Sequence, residues 1–256
     1  MAVTDQRAGL QRLRGSGVKS LQAYHVDVPS TANAKDISVV SYSAREGMAS
    51  PYEIGIEFTH PELLSRADYL GRDGHFTISA EDSTEPRVYR GIVVQFKRIK
   101  KTKDFFSYTI VIASQMARLG LLHRCRVFQH QSGPQIIESI LLRDKFMDHQ
   151  FVFKLRREYP IYDFRLQYQM SDLDYIHLIC EQEGLFWYSE QGKHGDVIVF
   201  GDDIDHYVYT PELKVPYREN ARLEAGIEAV FALETHAELV PQSVMVAEYN
   251  PLIANR

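Results

Sequence analysis

Two groups of acids are the candidates for chemistry: Glu181 and Glu183 near the end of a candidate helix, and Asp202, Asp203 and Asp205 beyond it. Paired carboxylates can divide general acid and base work across a glycosidic bond, and clustered ones can hold calcium. Spacing argues against both. Two positions apart on a helix is about 200° of rotation, so Glu181 and Glu183 diverge and read as solvent charges of a last turn. The three aspartates lack the glycine and the downstream glutamate of a calcium loop. His123 and His130 flank a short strand, which sets them about 23 Å apart. His177 follows Ile176 on a helix and reads as a surface or half-buried structural residue. Cys125 and Cys180 form no redox or zinc pattern, and both read as buried thiols of a reducing cytoplasm. There is no Gly-x-x-x-x-Gly-Lys-Ser/Thr, Gly-x-Gly-x-x-Gly, His-Glu-x-x-His or Cys-x-x-Cys. A serine or cysteine nucleophile whose partners meet only in space would leave no such trace. The expectation is no catalytic, cofactor or metal site and no enzyme, with a cell-wall glycan hydrolase as the least favoured alternative.

The elements around these residues are better defined. Between Gln167 and Tyr188 the sequence holds a short strand, a helix and an aromatic strand. Ser171 is an N-cap whose hydroxyl can accept from the Asp174 amide, and Asp174 at N3 gives a variant capping box. Met170 and Tyr175 suit a hydrophobic staple, Gly184 suits the left-handed C′ position, and Leu173, Ile176, Ile179 and Cys180 share one face. A second helix is expected near 134–147. Ser132 and Gln135 form its capping box, Pro134 its first turn, and Ile136, Ile137, Ile140, Leu141 and Met147 its buried stripe. Upstream, Tyr52, Ile54, Ile56 and Phe58 alternate with two glutamates, and strands are expected at His75–Ala80, Val88–Ile99 and Phe105–Ala113. Short connections between them favour antiparallel pairing in a barrel or a strongly curved sheet.

The fold class is therefore α+β and mainly β: an antiparallel β-barrel-like domain with helical insertions and the start of a second barrel. Residues 1–19 form a flexible lead-in, 20–114 the first barrel and 115–200 an α+β subdomain with a hairpin over 185–200. A linker covers 201–224, and 225–256 begins the second barrel with strands near Gly226–Leu233 and Ser243–Ala247. Two strands are marginal alone, so more chain is expected beyond Arg256. A 45% apolar and 25% charged composition is ordinary for a globular protein, and the net charge of −5 recommends neither nucleic acid nor an acidic membrane. The basic clusters Lys97-Arg98, Lys100-Lys101-x-Lys103 and Arg156-Arg157 read as solvated strand ends. No stretch approaches the roughly 20 apolar residues of a membrane span, and Met1–Ser20 is no secretory signal.

Five pieces in order resemble one family. Gln167-Tyr-Gln-Met-Ser-Asp-Leu-Asp-Tyr175 followed by Cys180-Glu-Gln-Glu-Gly-Leu-Phe-Trp-Tyr188 is similar to the valine-glycine-repeat (VgrG) spike proteins of type VI secretion, which in turn resemble the central hub of contractile-phage baseplates. Met170 stands where the family usually has an acid. Glu46-Gly-Met-Ala-Ser-Pro-Tyr-Glu53, Tyr89-Arg-Gly-Ile-Val93, Arg126-Val-Phe-Gln129 with Ile136-Ile137 and Ile140-Leu141, and Val246-Ala-Glu-Tyr-Asn-Pro251 are the other pieces. The resemblance implies a structural hub: a homotrimer of pseudo-sixfold symmetry that caps a hexameric, Hcp-like inner tube. It also implies contacts with baseplate proteins and effector cargo, no nucleic acid, and a target membrane met only by mechanical puncture. Assembly in the cytoplasm and expulsion through the contractile apparatus fit the lack of a signal peptide. The hub of a phage or phage-derived particle is the alternative.

Overall fold

A computed structural model describes residues 24–79, 86–193, 195–207, 217, 230, 232–243 and 245. The chain divides into two compact units, Met1–Val208 and Tyr209–Arg256. The lead-in over 1–19 lies outside the described residues, as does more than half of the second barrel's start. In that second unit's segment Val230 makes one isolated parallel bridge to Tyr217, which belongs to the same unit.

The first unit opens with a six-stranded antiparallel sheet. Its strands are β1 (Tyr24–Asp27), β2 (Ser38–Gly47), β3 (Ser50–His60), β4 (Asp73–Ile78), β5 (Arg87–Lys101) and β6 (Phe106–Ala113), in the order β1-β4-β5-β6-β3-β2. Alternation dictates the inner face. Tyr52, Ile54, Ile56 and Phe58 of β3 are buried against Tyr108, Ile110 and Ile112 of β6, and each such aliphatic or aromatic side chain contributes roughly 1.5–3 kcal/mol. Twist curls the sheet until its two edges meet. Tyr24 of β1 and Tyr42 of β2 approach with ring centroids 4.9 Å apart, so the barrel closes through aromatic rings and not through a ladder. One helical turn, Arg66–Tyr69, covers one end, with Ser65 as its N-cap.

An α+β layer follows. β7 (His123–Phe128) pairs antiparallel with β9 (Arg165–Ser171); β10 (Phe186–Gly192) and β11 (Gly195–Gly201) form a hairpin, and β8 (Phe151–Lys154) adds in parallel to β11. Two helices, α1 (Gly133–Arg143) and α2 (Asp172–Glu183), pack between these sheets around Ile136, Ile137, Ile140, Ile176, Ile179 and Trp187.

α1 ends four residues before the expected 147. The Asp144, Lys145 and Phe146 amides turn back to the carbonyls of Ile140, Leu142 and Leu141, and Lys145 sits in the left-handed region at φ 65°. That closing turn hands the last apolar contact to Phe146, which is buried, and leaves Met147 exposed, contrary to its place in the expected stripe. α2 has the expected caps. The Asp174 amide donates to Ser171 Oγ at 3.1 Å, the Ser171 hydroxyl donates to the Asp174 carboxylate at 2.5 Å, and Gly184 takes φ 65°.

Candidate functional site

Four of the five sequence pieces that carry the family resemblance lie within the described residues, and they meet in space in two places; Val246–Pro251 lies outside them. The first is on the barrel. Glu46, at the end of β2, accepts hydrogen bonds from the Tyr89 hydroxyl at 2.6 Å and from Arg87 at 2.8 and 3.0 Å. The Tyr52 hydroxyl donates to the Arg90 carbonyl at 2.8 Å. Gly91 lies so close to the neighbouring strand that a Cβ there would fall 2.1 Å from the Ala113 carbonyl oxygen, which no side chain permits. Arg90 then reaches the α+β layer: its amide donates to Gln191 Oε1 at 2.9 Å and its guanidinium to the Gly192 carbonyl at 3.2 Å. The Ala49 amide donates to the Trp187 carbonyl at 2.8 Å. This seam also holds Asp196, buried and accepting from the Ser114 hydroxyl and from the Gln115 amide at 3.2 Å. Burial pushes its carboxyl up to about 6, against the pull of the Ser114 hydroxyl and the Gln115 amide.

The second meeting place is Asp172, the first residue of α2. Its side chain is 2% exposed and faces three guanidinium groups: Arg126 at 3.2 Å, Arg143 at 3.4 Å and Arg124 at 3.5 Å. Gln167, fully buried, donates from Nε2 to Asp172 at 2.9 Å and to the Met170 carbonyl at 3.1 Å. Arg124 and Arg126 share the inward face of β7, and Arg143 comes from the end of α1. One buried carboxylate therefore ties a strand and two helices together, and its position at a helix N-terminus favours its negative charge. Asp144 sits beside it. Burial first, and then the charge of Asp172, push the Asp144 carboxyl above the usual carboxylate range, while Arg124 and Arg143 oppose this. Arg124 and Arg126 were legible as two cations with strand spacing, but nothing local marked Asp172 as their counter-charge.

All but one of the acids with which the sequence reading began have partners within the chain. Glu181 is exposed, as expected. Glu183 is not a solvent charge: its side chain is 7% exposed and accepts from the Tyr162 hydroxyl at 2.7 Å and Arg165 at 3.3 Å. The reason is Gly133, whose missing side chain lets the start of α1 come within 2.9 Å of the Glu183 Cγ, measured from an ideal Cβ, and fold the carboxylate inward. Asp202 accepts from the Arg156 and Arg157 amides, both at 2.9 Å, and from the Tyr159 hydroxyl at 3.1 Å. Burial works against its charge, but these donors and the Arg157 guanidinium outweigh it and hold its carboxyl below the usual range. Arg157 also donates to the Glu183 and Gly184 carbonyls at 2.7 and 2.9 Å, and so caps the C-terminus of α2. Asp203 and Asp205 pair with Arg156 at 3.4 and 2.7 Å.

His123 and His130 both lie on the surface and do not converge; His177 is half-buried and stacks on Trp187, with ring centroids 5.8 Å apart. Cys180 is buried, which pushes its thiol up to about 12, with the Glu181 charge adding to the shift. Cys125 is exposed, contrary to expectation, because strand alternation turns Arg124 and Arg126 inward to Asp172 and Cys125 outward. Among the described residues no group of histidines, cysteines and acids has the geometry of a metal site, and no helix is long and apolar enough to cross a membrane.

The curled antiparallel barrel with an α+β layer is the fold of tail-hub proteins. The E. coli c3393 protein, described as a component of the type VI secretion system with structural similarity to the T4 bacteriophage tail proteins gp27 and gp5, superposes with a TM-score of 0.66. That match covers 75% of this chain and 52% of the other at 24% identity. The family described as phage tail baseplate hub (GPD) matches residues 45–255, and the chain belongs to it. Among curated relatives, the spike protein VgrG5 of Pseudomonas aeruginosa is 28% identical over 193 residues, 74% of this chain and 24% of its own length. The actin cross-linking toxin VgrG1 of Vibrio cholerae is 34% identical over 145 residues, 55% of this chain and 12% of its own length. The chain thus spans a quarter or less of these relatives.

Proposed function

We propose that this chain is the hub portion of a type VI secretion spike and that its work is assembly. Three copies form a ring of pseudo-sixfold symmetry, and the ring seats on the end of a hexameric inner tube. The spike assembles in the cytoplasm and is expelled to puncture a target cell, with baseplate proteins and effector cargo as further partners. The observation that supports this reading best is the baseplate-hub family match over residues 45–255, together with spike proteins as relatives. No catalytic role is proposed for this portion, because Glu183, Asp202, Asp203 and Asp205 are engaged in holding strands and helices together and Glu181 stands apart from them on the surface. A second reading, the hub of a phage or phage-derived particle, draws on the phage-tail description of the same family.

Co-sedimentation with preassembled hexameric tube rings tests the proposal. The gene product that contains these residues is expected to pellet with rings at one trimer per ring end. Failure to pellet with the type VI tube but capping of a phage tail tube would replace the first reading with the second. Failure on both tubes would overturn the hub assignment.

A further inference from the structure

β5 is paired on both sides only along its first half. β4 leaves it at Ile92, and the Gly71 and Arg72 backbone makes the last bonds on that side, to Val93. From Val94 to Lys101 the strand remains bonded to β6, but among the described residues its other edge carries no backbone partner. Such an edge is a template for an added strand. Lys97, Arg98, Lys100 and Lys101 stand along it, all exposed, and among the described residues no carboxylate pairs with them. Beside the edge is an open hollow of about 360 Å³, lined by Leu64, Phe96 and Tyr108 together with Arg66 and Arg98. Arg66 comes from a different element, the helical turn that covers the barrel end, and it too has no carboxylate partner among the described residues.

We propose that this edge and hollow form a docking site for an extended, acidic segment of a partner protein. The segment adds as a strand along residues 94–101, places one apolar side chain on the half-buried Phe96, and sets a carboxylate between Arg66 and Arg98. Charge decides the occupant. Two copies of this edge brought together would oppose lysine with lysine, whereas an acidic strand completes both the ladder and the charge pairs. Nucleic acid would use the cations but leave the free amides and carbonyls unpaired, and a chain of net charge −5 repels it at long range. Lysines on a free edge can also serve only to prevent aggregation. That role needs no arginine from a second element facing a hollow, and it predicts no binding at all.

Anisotropy measurements would use two short labelled peptides, one alternating glutamate with valine and phenylalanine, the other with lysine in place of each glutamate, and a single-stranded oligonucleotide. The glutamate peptide is expected to bind, and to bind more weakly as salt rises. Arg66→Glu and Arg98→Glu, both at exposed positions, should each weaken it by about tenfold or more. Amide exchange of residues 94–101 should slow in the complex, which a purely ionic contact would not produce. The proposal is overturned by no binding of the glutamate peptide, by equal binding of the lysine peptide, by indifference to both arginine substitutions, or by binding of the oligonucleotide alone.

Discussion

In the barrel, position is set by apolar alternation: Ile54, Ile56 and Phe58 point inward at every second residue and are fully buried. In the α+β layer, apolar side chains fill the space, but charges set where the helices go. Asp172 fixes the start of α2 on three arginines, Glu183 its end on Tyr162 and Arg165, and Arg157 joins that end to Asp202. The difference lies in what determines a register. A strand in a ladder is fixed by its neighbours' hydrogen bonds and needs only grease on one face. A helix lying on a sheet can slide or rotate at little cost in apolar contact, and a buried charge with directional partners removes that freedom.

Isosteric substitutions should break the comparison most clearly. Ile56→Leu in the barrel keeps the side-chain volume at a fully buried position and should cost less than about 1.5 kcal/mol. Asp172→Asn keeps the shape but leaves Arg126 without a carboxylate and Arg124 and Arg143 with Asp144 alone, and should cost roughly 3–5 kcal/mol. Urea denaturation measures both. Equal losses would mean that the charge cluster does no more than fill space.

How much was legible follows the same division. Four of the six barrel strands, the inward face of β3, the N-caps of both helices and the C-cap of α2 could be read from period and spacing, because each depends on residues within a few positions. Glu183 was misread because its partners, Tyr162 and Arg165, lie about twenty residues away and Gly133 further still. Cys125 was misread because the polar face of β7 is its inner one, an inversion that makes sense only once Asp172 is known to lie behind it. The motif spanning Gln167 to Asp172 was visible as a resemblance, but its physical content, a buried amide holding a buried carboxylate, required the fold.

A smaller effect is expected at the seam between the two regions. Asp196 has a folded value near 6 against an ordinary 3.8, so the folded state binds its proton more tightly than the unfolded chain does. Stability from this group is therefore greatest below pH 4, falls as pH rises from 4 to 6, and is flat above. The full span is on the order of 3 kcal/mol. Asp196→Asn should remove that slope, and thermal melts at pH 4.5 and 7.5 would show it. An unchanged difference between the two melts would place the titration elsewhere. The smallest effect is the cap: Ser171→Ala should cost about 1 kcal/mol and speed amide exchange in the first turn of α2 without touching the barrel. Faster exchange in β3 as well would mean that the two regions unfold together.

The central claim, that these residues serve assembly and not catalysis, is tested most directly by the mass in solution of the gene product that contains them. Light scattering across a range of concentrations should give three times the chain mass. A monomer that persists at the highest concentration would contradict the account.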